Sequence, residues 1–67
     1  MIQFKAHEGP AAGVTIDVLN HGMLAGHIRR PSDGDLYRYF RGVHNESSPS
    51  HEDRDLERLM RLISEDP

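Results

Sequence analysis

The sequence predicts an α+β domain, a three- to four-stranded antiparallel β-meander with one C-terminal α-helix packed on one face. Three observations point there. Apolar and polar residues alternate through Ile2–His7 and Val14–Val18, which is the period of half-buried strands. Short Asn/Asp/Gly turns separate the later runs. From residue 51 onward the apolar spacing becomes helical.

The first strand, residues 2–7, alternates Ile2, Phe4 and Ala6 with Gln3, Lys5 and His7. The stretch 8–13 breaks it with Gly9, Pro10 and Gly13. The second strand, 14–19, is rich in β-branched residues (Val14, Thr15, Ile16, Val18) that fit a pleated surface. Asn20-His21-Gly22 is expected to form a three-residue loop, with Gly22 supplying the left-handed position. That register sets Val18 opposite Leu24, Ile16 opposite Gly26 and Val14 opposite Ile28, and keeps the apolar residues on one face. A two-residue His21-Gly22 turn scatters them, so the three-residue loop is preferred.

The third strand, 23–30, ends at Pro31. After Ser32-Asp33-Gly34 the fourth strand runs over 35–42. Two registers compete here. With a three-residue loop, Gly26 faces Phe40 and Ile28 faces Arg38. His27, Arg29, Tyr37, Tyr39 and Arg41 then share the face away from the core. With a two-residue Asp33-Gly34 turn, Tyr37 and Tyr39 point inward and Arg29 faces Arg38. Like charges directly opposite are unfavourable. The first register is therefore preferred, with the long Arg38 stem reaching water from the sheet edge.

Residues 43–50 read as a polar linker, with Ser48 or Ser50 as cap of a helix over 51–64. Pro49 suits a first turn. Glu52, Asp53 and Asp55 crowd the end that the helix dipole makes favourable for acids. Leu56, Leu59, Met60 and Ile63 form the buried stripe.

With 67 residues the chain is expected to be a single small domain, 1–67. A chain of this length buries only about 60% of its unfolded surface, so a partner or a second copy would add stability. There is no cysteine, hence no disulfide and no thiolate metal site. No apolar run is long enough to span a bilayer, and Met1–Lys5 carries no signal-peptide core. A cytoplasmic protein without a membrane role is the expectation. The net charge is −3 and uneven. Residues 1–45 carry five basic and four acidic side chains, a balance of +1; residues 46–67 carry three and seven, a balance of −4.

Five histidines (His7, His21, His27, His44, His51) lack metal-ligand spacing and read as turn and cap residues, so no metal and no cofactor is expected. No phosphate-binding glycine loop and no nucleophile elbow is present, and the chain is expected not to be an enzyme. The feature that suggests function is Tyr37-Arg38-Tyr39-Phe40-Arg41 with His27 and Arg29 beside it. Tyr and Arg are favoured anchors of protein interfaces. They also stack bases and hold phosphates. The expectation is a small binding or regulatory module docking on a larger protein through His27, Arg29, Tyr37, Tyr39 and Arg41. A nucleic-acid-binding domain using the same face is the alternative. A homodimer formed through an edge strand or the sheet face is a further possibility.

Overall fold

Period-two alternation becomes a five-stranded sheet in the computed structural model, which describes residues 1–8, 13–45 and 47–66. The elements are β1 (Ile2–Glu8), β2 (Val14–Asn20), β3 (Met23–Arg30), β4 (Tyr37–Arg41), β5 (His51–Asp53) and α1 (Leu56–Glu65). The strands pair antiparallel in chain order, so the meander stands. The expected Gly9-Pro10 break, Glu46 of the linker and Pro67 lie outside the described residues.

The strand count of three to four is corrected to five, and the helix starts at Leu56 instead of residue 51. His51–Asp53 is not the first helical turn. It pairs with Tyr37–Tyr39 and supplies the outer edge of β4 with a neighbour. An Arg38 Nε to Glu52 Oε2 bond of 3.0 Å crosses that pairing. Asp53 then bends the chain by accepting the Asp55 amide at 2.9 Å. Asp55, with extended backbone, caps the helix by accepting the Arg58 amide at 3.3 Å. Neither expected serine cap is used. Asp53 also grips the Arg58 guanidinium at 2.6 and 2.8 Å.

The first hairpin turns on His21 and Gly22 alone, with φ of 53° and 80°. Asn20 faces Met23 and Leu19 faces Leu24. The expected three-residue loop is thus overturned. A bulge at Ala25 then shifts the register, so that Val18 faces Gly26, Ile16 faces Ile28 and Val14 faces Arg30. The bulge restores the face that a two-residue turn alone would have scattered. The pairs differ from expectation, but Val14, Ile16, Val18 and Ile28 keep the expected side. Leu24, expected opposite Val18 on that side, is corrected: before the bulge it pairs with Leu19 on the other face and is exposed.

The second hairpin adopts the register that the sequence disfavoured. Gly26 faces Arg41, His27 faces Phe40, Ile28 faces Tyr39 and Arg29 faces Arg38. Magnitudes explain the choice. A like-charge pair on a sheet surface costs about 0.2–1 kcal/mol. Burying a large aromatic side chain contributes about 1.5–3 kcal/mol. Tyr39 is fully buried, so the burial outweighs the repulsion.

Helix α1 lies over β4 and β5. Leu59 and Ile63 insert completely among Ile16, Val18, Ile28 and Tyr39, with Leu56 and Met60 half-buried beside them. Arg41 donates to the Asp66 carbonyl at 2.9 Å, tying the end of β4 to the end of the helix. Among the described residues no helix is long and apolar enough to cross a membrane.

Candidate binding surface

Each strand presents alternate residues to two faces, and the register assigns every residue of the expected surface. Tyr37, Tyr39 and Arg41 lie on the helix side, with Ile28, Gly26 and the core. His27 and Arg29 lie on the helix-free side. The expected face of His27, Arg29, Tyr37, Tyr39 and Arg41 is therefore not assembled, because the one-residue register shift turned β4 over.

Tyr39 is core. Its ring lies flat against His51, with centroids 6.3 Å apart and planes at 7°. It also lies across Gly26, where a Cβ would come within 2.8 Å of Tyr39 Cε1. Burial pushes the Tyr39 phenol up, while the neighbouring Arg41 charge opposes that. Tyr39 Oη sits near this guanidinium without reaching hydrogen-bond geometry among the described residues. Tyr37 is half-buried, with the Arg30 guanidinium 5.1 Å from its ring centroid.

The helix-free face reads in rows across the strands. One row runs His7, Thr15, Arg29, Arg38, Glu52. The next runs Lys5, Asp17, His27, Phe40. Arg29 and Arg38 stand directly opposite one another, both exposed. Glu52 balances Arg38 from the far side at 3.0 Å. Asp17 meets His7 diagonally at 2.7 Å. His27 and Phe40 stack with centroids 5.4 Å apart and planes at 25°, and each keeps only 8% exposure. Arg38, which the sequence reading set on the core side, belongs to this face. So do Lys5, His7 and Thr15, which that reading did not include. The signal for them was present in the polar positions of β1 and β2, which share the parity of Arg29.

This face carries the cations Lys5, Arg29 and Arg38 and the acids Asp17 and Glu52. Arg38 already gives one donor to Glu52, and a guanidinium keeps further donors suited to a carboxylate or phosphate. Among the described residues no cluster of His, Asp and Glu could hold a metal ion. Compared with known proteins, the chain matches no family model, no curated protein and no solved structure.

Proposed function

We propose that this chain is a small non-enzymatic binding or regulatory module that docks on an acidic surface of a larger protein through its helix-free sheet face. The observation that carries the reading is the direct apposition of Arg29 and Arg38 on that face. Two like charges in a cross-strand pair cost the free domain stability. A partner's carboxylate beside them adds to the compensation that Glu52 gives Arg38 within the domain, and complementary charge is what gives an interface its partner choice and association rate. Lys5 widens the cationic area, Asp17 and Glu52 are the acids on this face, and Asp53 lies on the other side with Tyr37. The non-enzymatic part of the reading rests on the sequence, which brings no acid, base and nucleophile into one motif. The same reading puts the protein in the cytoplasm, where a chain without cysteine is unaffected by reducing conditions.

The test is an amide-shift titration with a short glutamate-rich peptide at low and at moderate salt. Shifts centred on Thr15, Arg29 and Arg38, loss at higher salt, and at least about tenfold weaker binding by Arg29→Glu are expected. Shifts confined to α1, or no shifts, remove the reading. Tighter binding by a single-stranded oligonucleotide of equal charge replaces the protein partner by nucleic acid. Stacking on Tyr39 would have no part in that, since its ring is fully buried.

A further inference from the structure

β1 is an edge strand, and among the described residues it pairs only with β2. Which of its backbone groups face outward follows from one bond. The His21 amide donates to the Met1 carbonyl at 3.1 Å, continuing the register in which Ile2 faces Asn20. In an antiparallel ladder, residues with inward-bonding groups alternate with residues whose groups point away. Met1, Gln3, Lys5 and His7 therefore bond toward β2. The N–H and C=O groups of Ile2, Phe4, Ala6 and Glu8 point to the free edge.

The side chains of Ile2, Phe4 and Ala6 share the helix side, with Asn20, Val18 and Ile16 as their respective partners in β2. Ile2 and Phe4 pack only partly against the core, and Ala6 is exposed. The helix lies over the opposite end of the sheet. Among the described residues the edge thus offers a row of unpaired backbone groups beside an incompletely covered apolar strip, the combination that templates strand addition.

We propose that two copies of this chain join β1 to β1, antiparallel about a two-fold axis at Phe4, into one continuous sheet. The axis stands perpendicular to the sheet, so residues of equal parity oppose one another. Five registers centre on an interior residue of β1. Centring on Gln3 pairs Ile2 with Phe4 but leaves Ala6 beyond the ladder, and centring on His7 leaves both Ile2 and Phe4 beyond it. Centring on Lys5 sets Lys5 against its own counterpart, a like-charge pair. Centring on Ala6 sets Lys5 against His7 and leaves Ile2 beyond the ladder. Centring on Phe4 sets Phe4 against Phe4, Ile2 against Ala6 and Gln3 against Lys5. Every apolar residue then meets an apolar one, and Lys5 meets a neutral amide. The outward groups of Ile2, Phe4 and Ala6 all find partners, since these are the residues that exchange both bonds of a pair. Both helices fall on one side, and the two apolar strips merge between them. Of these registers only this one pairs all three apolar residues with one another and Lys5 with a neutral side chain, and that self-complementarity selects a second copy as the occupant of the edge. The helix-free face stays open, so this assembly does not rest on the acidic-partner reading.

Gln3 and Lys5 are exposed and form the closely spaced pairs between hydrogen-bonded ones, so they carry the test. The full chain is measured by sedimentation equilibrium across a wide concentration range, with circular dichroism to verify folding. A dimer is expected. Gln3→Lys sets lysine against Lys5 twice by symmetry and should weaken association about tenfold. Gln3→Glu should tighten it, and Gln3→Lys combined with Lys5→Glu should restore it. A monomer mass at every concentration overturns the proposal. So does a dimer whose dissociation constant ignores all three variants, because that dimer uses another surface.

Discussion

Tyr39 lies over Gly26, and the missing side chain at Gly26 is the space its ring occupies. A Cβ there would stand 2.3 Å from the Phe40 carbonyl oxygen, 2.8 Å from Tyr39 Cε1 and 3.0 Å from Tyr39 Oη. Two of these atoms belong to a fully buried side chain and one to the backbone of the neighbouring strand. None can move without disturbing the core that holds β4 in register.

Gly26→Ala should therefore destabilise the domain by about 1–3 kcal/mol, as overpacked cores do. For a domain of this size that corresponds to a fall in Tm of roughly 4–8 °C per kcal/mol. Thermal unfolding followed by circular dichroism checks it. An unchanged Tm would mean that Tyr39 does not sit against Gly26.

The Tyr39 hydroxyl is buried and lacks a hydrogen-bond partner among the described residues. An unsatisfied buried hydroxyl costs about 1–3 kcal/mol. Tyr39→Phe keeps the ring against His51 and Ile28 and removes that cost, so it should stabilise the domain by about 1 kcal/mol. Tyr39→Ala removes the ring as well and should cost about 3–5 kcal/mol, enough to unfold most of a domain this small. Urea midpoints of the two variants should move in opposite directions.

Asp53 is held down to about 2 from an ordinary 3.8, first by its hydrogen bonds from Arg58 and then by the Asp55 amide. The folded form thus binds this proton less readily than the unfolded chain. Its contribution to stability is complete above about pH 4 and disappears as the pH falls through about 2. Asp53→Asn should flatten the acid limb of the stability curve over that window and lower stability at neutral pH. Arg58→Ala should do the same, because it removes the same pair. Denaturant unfolding between pH 2 and 7 reads both effects. An acid limb unchanged in both variants would locate the acid sensitivity in other carboxylates.

His21 occupies the left-handed region at φ 53° beside Gly22 at φ 80°. This two-residue turn favours Asn followed by Gly. His21→Asn should stabilise the hairpin by roughly 0.5 kcal/mol, and Gly22→Ala should cost about 1 kcal/mol. Nothing lies within 4 Å of a Cβ at Gly22, so backbone strain alone would account for the loss. Unfolding midpoints of the two variants check the turn assignment.

The sequence by itself determined the class, the meander order, the first three strands nearly to the residue, and the helical stripe. Ile16, Val18, Ile28, Leu59 and Ile63 are buried as their spacing requires. It missed β5 because His51-Glu52-Asp53 carries no apolar residue, and its strand character comes from the β4 edge beside it. The two hairpins show what only tertiary structure decided. In the first, a two-residue turn and a bulge at Ala25 together preserved the parity of β3 from Gly26 onward, so the predicted face survived a wrong loop except at Leu24. In the second, a one-residue difference reversed β4 and moved Tyr37, Tyr39 and Arg41 under the helix. The physical reason is the strand's period of two. Local pattern fixes which residues alternate, but which alternate set faces inward is decided by the total burial available. The helix offers Tyr39 a complete enclosure, and that gain exceeds the repulsion between Arg29 and Arg38 it leaves exposed on the other side.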